Sequence, residues 1–255
     1  MSTGKIKLAS SVCIVVPTYN EAENVPRLVK SLDEELGEEK FTLILIDDSS
    51  PDGTADIAED LEIRNGNIIV NRRPGKLGIG SAIRDGIKIA LSFPSCKRIV
   101  TMDADLSHDP KDIQRLLEDS KEVDLVQGSR YIKGGRIVGW SLKRKITSNI
   151  ANLLCRILLR THLHEHTTYF RVYSREAAKI AVENVHCDRY EWAIGSILAV
   201  KDHGLRVTES PITFVERTRG KSKLKTSDIL GWFSYLMKTF VSRSLNRVKG
   251  GMNAR

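Results

Sequence analysis

Short apolar runs alternate with longer stretches in which apolar residues return every three or four positions, and this rhythm fills the first half of the chain. "SVCIVV" (11–16), "FTLILI" (41–46), "NIIV" (67–70), "KRIVTM" (97–102) and "VDLVQG" (123–128) are short and rich in β-branched residues, so they predict strands. Between them, Val25, Leu28, Val29, Leu32 and Leu36 recur at helical spacing. So do Ile57 and Leu61 after the turn-forming "SSPDGT", and Ile79, Ala82, Ile83, Ile87 and Ala90 after "GKLGIGSA". Pro110 predicts another helix start, with Asp109 as its cap. Strands alternating with helices predict a mostly parallel, doubly wound sheet, in which ligands bind beyond the carboxyl ends of the strands. Segments 17–21, 47–53 and 103–109 all fall there.

The second half is less regular. A helix is predicted from about Arg144 to Arg160 on the spacing of Ile146, Ile150, Leu153, Leu154, Ile157 and Leu158. "ITFVER" (212–217) reads as a strand. From Ser227 an amphipathic helix carries Ile229, Leu230, Trp232, Phe233, Leu236, Met237 and Phe240, and a basic tail with Arg243, Arg247, Lys249 and Arg255 follows. The pattern divides the chain into an α/β domain over residues 1–224 and a C-terminal amphipathic helix with its tail over 225–255.

Composition changes this picture in three ways. With 255 residues, 41% hydrophobic and 28% charged, one large domain can bury its own core. Cys13, Cys96, Cys155 and Cys187 are spread without a C-x-x-C pair, which speaks against a disulfide framework or thiolate zinc site and fits a reducing compartment. "MSTGKIKLAS" lacks the apolar stretch of a signal peptide, and no apolar run reaches the ~20 residues of a membrane span. The expectation is a soluble or peripheral protein on the cytoplasmic side. The net charge of +8 suits nucleic acid, an anionic membrane or a phosphorylated ligand.

Against that positive balance, "TMDADLSHDP" (101–110) crowds carboxylates. Asp103 and Asp105 at a strand end can face one hard cation, Mg²⁺ or Mn²⁺, which would bridge the phosphates of a diphosphate; the plainer reading is a decorated surface loop. In "PTYNEAEN" (17–24), Asn20 can cap the next helix with Glu21 and Glu23 at its positive end, or Pro17, Tyr19 and Glu21 can line a base and ribose. Asp48 in "IDDSSPDGT" can accept from ribose or base, or belong to a turn. "KLGIGSA" is read as a helix start, since the dinucleotide and Walker patterns are absent. Arg130, Arg144, Lys145, Arg171, Arg217, Arg219, Lys221 and Lys223 are either phosphate forks or solvated charges. His162, His164 and His166 in "HLHEH" can share a strand face and bind zinc, or form a loop at the rim of a site.

Taken in order, "VVPTYNEAEN", "IDDSSPDGT", "MDADLSHDP", "QGSRYIKGG", W-x-x-x-R-K-x-x-S (140–148), T-x-x-F-R-V-Y-S and "ESPITFVERTRGKSKL" resemble glycosyltransferase family 2, and within it the dolichyl-phosphate mannosyltransferases, over about residues 11–224. The resemblance implies a GT-A, Rossmann-like fold and metal-dependent, inverting transfer from a nucleotide-diphosphate sugar. The donor it implies is GDP-mannose, and the acceptor is dolichyl or another polyprenyl phosphate. It places Pro17, Tyr19, Glu21, Ile46 and Asp48 at the guanosine nucleotide. Asp103, Ala104 and Asp105 fall at metal and diphosphate, with Asp103 and Asp105 as metal ligands. Arg217 and Lys223 fall at the donor phosphates, and Arg130, Arg144 and Ser148 at the acceptor phosphate. Asp105, Arg130 and Arg217 are the expected catalytic set. Ser107, Tyr169 and Gly195 depart from relatives that often carry Gln, Gly and Glu there.

A lipid phosphate is already an anion, so positioning and charge neutralisation can carry the reaction without a strong base. The competing readings are transfer from UDP-glucose or another nucleotide-hexose to the same lipid, transfer to a saccharide, and a nucleic-acid-binding module. The last lacks any recognition motif, and no nucleic-acid partner is expected. The C-terminal helix is expected to lie on a membrane or bind a small membrane subunit, or else to pack on its own domain.

Overall fold

A computed structural model describes residues 10–37, 41–217 and 226–252. The first half alternates as the rhythm predicts: β1 (Val12–Thr18), α1 (Val25–Leu36), β2 (Thr42–Asp47), α2 (Thr54–Asn65), β3 (Ile68–Arg72), α3 (Ile79–Ser92), β4 (Arg98–Thr101), α4 (Asp112–Asp119) and β5 (Leu125–Ser129). There follow β6 (Arg136–Val138), α5 (Leu142–Leu159), β7 (Arg171–Ser174), α6 (Arg175–Asn184), α7 (Trp192–Asp202), β8 (Val207–Pro211), β9 (Thr213–Val215) and α8 (Thr226–Met252).

The main sheet runs in the order β3-β2-β1-β4-β7-β5-β8. Its pairings are parallel except that β7 is antiparallel to both β4 and β5. Alternate residues leave a strand on opposite faces, so β1 and β2 feed two cores. Cys13, Val15, Ile44 and Ile46 pack with Ile83 and Ile87 of α3, and with Ala177 and Trp192 beyond them. Ile14, Val16, Leu43 and Leu45 pack with Leu28 and Leu32 of α1 and with Ile113 and Leu116 of α4. A third cluster joins Cys155 and Leu159 of α5, Ile194 and Leu198 of α7, and Leu236 of α8.

Several expectations are corrected. Residues 212–217 give only the three-residue β9, which pairs with β6 outside the main sheet. Asn20 is not the cap of α1, because a turn intervenes and the main-chain oxygen of Glu21 accepts from both Asn24 and Val25 at 2.9 Å. Asp109 organises the turn before α4, its carboxylate accepting the Lys111 N–H at 3.1 Å and its carbonyl the Asp112 N–H at 3.0 Å. Arg171 is not a loop cation. It is fully buried in β7, donating to Thr168 O (3.1 Å), Ser196 Oγ (2.6 Å) and Ala193 O (2.8 Å). The division at residues 224 and 225 lies outside the described residues, as do Arg219, Lys221 and Lys223.

Candidate active site

Three loops leave the carboxyl ends of β1, β2 and β4, and the first two are laced together. Asp47 accepts from Thr18 Oγ1 (3.0 Å), Ser50 N (2.9 Å) and Ser50 Oγ (2.5 Å). Ser50 Oγ accepts the Asn20 N–H at 2.9 Å, Thr54 Oγ1 accepts the Glu21 N–H at 2.9 Å, and Asp52 accepts the Ala22 N–H at 3.1 Å. Each loop contains one non-glycine residue in the left-handed region: Asn20 (φ 55°), Ser49 (φ 54°) and Leu106 (φ 60°). Such backbone costs roughly 1–2 kcal/mol per residue and is held by its surroundings, a pattern that gathers at functional sites.

Of the expected nucleotide residues, Pro17 and Ile46 are register partners on β1 and β2. Ile46 is fully buried, so it builds the core beneath the cleft and not the cleft surface. Asp48 accepts the N–H groups of Leu77 and Gly78, both at 3.1 Å, and pairs with the buried Arg73 at 3.0 Å. Burial pushes the Asp48 carboxyl up, against the pull of Arg73. Asp48 therefore anchors the start of α3. That start bends at Gly78 (φ 105°), where an added Cβ would lie 2.3 Å from the Asp188 carbonyl oxygen. The anchored segment sets the Lys76 ammonium 3.8 Å over the Tyr19 ring. Arg73 and Lys76 carried no signal beyond their charge in the sequence.

Asp103 and Asp105 follow β4 with Ala104 between them, buried. Burial and then the neighbouring Asp105 push the Asp103 carboxyl up to about 7; Arg217 and Arg130 pull it the other way, and Glu21 adds to the repulsion. Asp105 pairs with Arg217 at 3.2 Å and accepts the Ser107 N–H at 3.0 Å. Residues from β1, β4, β5 and the segment after β9 thus meet in one acidic-and-basic cluster. Among the described residues no group of three His, Cys, Asp or Glu side chains forms a metal cage. Two crowded carboxylates nonetheless fit Mg²⁺ or Mn²⁺, which bind through one or two carboxylates and take further oxygens from substrate phosphates.

His108 closes this loop from behind. It is buried, its Nδ1 accepts the Asp103 N–H at 3.0 Å, and its Nε2 bonds Thr168 Oγ1 at 2.8 Å. Burial pushes its pKa down to about 3, so the ring is neutral. The sequence reading passed over His108, although its place three residues after the acidic pair was the available signal.

The expected acceptor residues line the adjoining wall. The Arg130 guanidinium forks onto Glu165 at 2.7 and 2.9 Å and donates to Thr167 Oγ1 at 2.8 Å. Burial alone would raise the Glu165 carboxyl, but Arg130 and the hydrogen bonds from Arg130 and Thr167 hold it down at about 2. Trp140 stands between two cations, with Arg130 5.0 Å and Arg144 4.0 Å from its ring centre, and its buried Nε1 lacks a hydrogen-bond partner. Arg144 also pairs with Glu216, next to Arg217. Ser148 accepts the Tyr131 hydroxyl at 2.7 Å. Glu165 and Trp140 thus join the wall, whereas the histidines disperse. His162 bonds Val207 O, His164 bonds Glu209, and His166 bonds Thr161, which removes the zinc reading. Of the departures, Tyr169 is buried with its hydroxyl bonded to Arg189 O at 3.3 Å. Gly195 lies inside α7, where a Cβ would come within 2.9 Å of the Tyr235 hydroxyl.

The chain is 34% identical over 240 residues to a polyprenol monophosphomannose synthase of Mycolicibacterium smegmatis, covering 93% of this chain and 89% of that one. It is 35% identical over 214 residues to an undecaprenyl-phosphate mannosyltransferase of Micrococcus luteus, covering 84% and 87%. In fold it is similar to glucosyl-3-phosphoglycerate synthase of Mycobacterium tuberculosis, solved with Mn²⁺, uridine diphosphate and phosphoglyceric acid, with a TM-score of 0.64 at 18% identity over 92% of this chain and 80% of that one. Mannosyl-3-phosphoglycerate synthase of Rubrobacter xylanophilus gives 0.62 at 18% identity, covering 94% and 75%. The profile of glycosyl transferase family 2 matches residues 13–180, from β1 to α6, and so takes in all three loops and Arg130; the chain belongs to that family and is a glycosyltransferase.

Proposed function

We propose that the enzyme transfers mannose from GDP-mannose to a polyprenyl phosphate of the dolichyl type, with inversion at the anomeric carbon. The observation that carries this reading is the meeting of the Asp103–Asp105 pair and Arg217 with Arg130 in one electrostatic cluster, because a phosphate-to-phosphate transfer needs a cation on one side and a guanidinium on the other. The relatives named for polyprenol and undecaprenyl phosphate support the acceptor and the sugar. Asp103 and Asp105 would hold Mg²⁺ or Mn²⁺, which supplies charge neutralisation at the leaving diphosphate. Arg217, beside Asp105, is the chain's own counter-charge there. Tyr19, Glu21 and Asp48 line the nucleotide end, and Lys223 completes the donor set from outside the described residues. On the acceptor side, Arg130, Arg144 and Ser148 hold a phosphate oxygen that is already anionic, so orientation replaces proton abstraction.

The test is transfer of labelled sugar into an organic phase, using purified protein, dolichyl phosphate and Mn²⁺ or Mg²⁺ with GDP-mannose or UDP-glucose. Metal-dependent product from GDP-mannose is expected. Product from UDP-glucose alone would keep the lipid acceptor and replace the donor.

A lipid acceptor requires access to a bilayer. No helix of the described residues is long and apolar enough to cross one. Two adjacent helices nonetheless expose apolar rows: Leu142, Ile146, Ile150, Leu153 and Ile157 on α5, and Ile229, Phe233, Met237, Val241 and Leu245 on α8. Spacings of three and four hold the α5 row on one helix face, while steps of four turn the α8 row slowly around its helix, and Lys143, Lys145 and Lys238 add positive charge. We read this face as the peripheral contact with the cytoplasmic surface of an anionic membrane; a small membrane subunit is the alternative occupant. Ile150→Glu with Phe233→Glu should weaken co-sedimentation with phosphatidylglycerol-containing vesicles by about tenfold or more, the loss expected for two buried apolar side chains. Unchanged co-sedimentation would overturn the bilayer contact.

A further inference from the structure

The candidate metal loop and the acceptor wall are joined by one side chain. His108 stacks on Phe170 (centroids 4.9 Å apart) and meets the edge of Phe214 (5.4 Å), and its backbone bridges to Phe214. Its two ring nitrogens face two different parts of the site. Nδ1 takes a main-chain N–H, so it carries no proton of its own, and the ring proton belongs on Nε2, directed to Thr168 Oγ1. Thr168 follows Thr167, whose hydroxyl holds Arg130. The Nδ1 partner is the backbone of Asp103 itself, at the point where β4 ends and the acidic pair begins.

We propose that His108 is a positioning residue of the transfer reaction: through Nδ1 it fixes the backbone that presents Asp103, and through Nε2 it ties that backbone to Thr168, the chain neighbour of the Thr167 that supports Arg130. The inference rests on the proposed metal-binding role of Asp103. His108 touches neither substrate nor metal and acts only through these partners. Packing alone would ask for an aromatic ring between Phe170 and Phe214; it would not ask for an acceptor on one edge and a donor on the other. Groups that set the orientation of a metal ligand typically change metal affinity by 10- to 100-fold when removed.

Two substitutions divide the ring's roles. In His108→Asn the side-chain oxygen can take the place of Nδ1 and keep the Asp103 bond. In His108→Gln the amide nitrogen can take the place of Nε2 and keep the Thr168 bond. With Mn²⁺ titrated into full-length protein in the presence of GDP, His108→Asn should stay within about threefold of wild type. His108→Gln should bind Mn²⁺ at least tenfold more weakly. Equal losses in both variants that simply follow their melting temperatures would overturn the proposal and leave His108 as core packing. Nitrogen-15 spectra of the wild-type histidine rings supply a check that needs no variant. A proton on Nε2 and a bare Nδ1 are expected, with Nδ1 shifting when Mg²⁺ and GDP are added; a proton on Nδ1 would also overturn the proposal. Wild-type protein that binds GDP but no divalent cation would overturn the metal reading itself, and this inference with it.

Discussion

Asp105→Ala should lower kcat/KM for sugar transfer by about 10³-fold, equivalent to about 4 kcal/mol of transition-state stabilisation, while leaving the fold intact. The effect is electrostatic. Asp105 sits at the centre of the cluster, with Arg217 3.2 Å away and Asp103 two residues before it. Removing its charge weakens the proposed seat for the cation and takes away the carboxylate that pairs with Arg217, so the cation site and the Arg217 side chain would both be disturbed. Asp105→Asn separates this from a folding defect. The Asn side-chain oxygen can still accept the Ser107 N–H that Asp105 accepts at 3.0 Å, so the loop should keep its shape and the melting temperature should hardly move. Steady-state kinetics beside thermal melts of both variants decide the matter. Activity within tenfold of wild type in either variant would remove Asp105 from the catalytic set.

Glu165→Ala should be the most destabilising single change in the site, by about 3–5 kcal/mol, because it leaves the Arg130 guanidinium buried without its carboxylate. The Arg130 side chain is 5% exposed and that of Glu165 0%, so water cannot replace the lost partner. Glu165→Gln should cost less, since one oxygen still accepts. The pH dependence follows from the same pair. The folded-state carboxyl is held down at about 2, against about 4.3 in an unfolded chain. The pair's contribution is therefore fully present above about pH 4.3 and is lost as pH falls toward 2. Denaturant melts between pH 7 and 3 should show wild type converging on Glu165→Gln at the acid end. Parallel curves would mean that Glu165 is not ionised in the folded protein.

How far the sequence speaks for the fold can be judged strand by strand. β1 and β2 are buried runs rich in Val, Ile and Leu, β4 and β5 carry buried Ile-Val and Leu-Val pairs, and they read as strands because both faces of the sheet meet helices. β7 does not, since "RVYS" opens on Arg171, whose burial is made tolerable by Thr168, Ala193 and Ser196, partners set by the tertiary fold alone. β8 holds three consecutive polar residues between Val207 and Pro211, and β6 has three residues, both below what a pattern can carry. The acid-rich loops were legible because short motifs fall directly after readable strands. The second ring of the site was not. Arg73, Glu165 and His108 look like any polar residue until the chain brings Asp48, Arg130 and Asp103 against them, and Trp140 owes its place to arginines from two separate segments.

The place of β7 in the sheet also fixes an order of manufacture. β3, β2, β1 and β4 lie side by side and are complete by residue 101, so this half can form while the chain is still being made. β5 is finished at Ser129, yet among the described strands its neighbours are β7 and β8, which begin at Arg171 and Val207. At a synthesis rate of roughly 5–20 residues per second, β5 waits a few seconds on the ribosome with both edges unpaired. For that interval the nascent chain carries a strand with two open edges, the kind of segment that invites wrong pairing until its partners arrive.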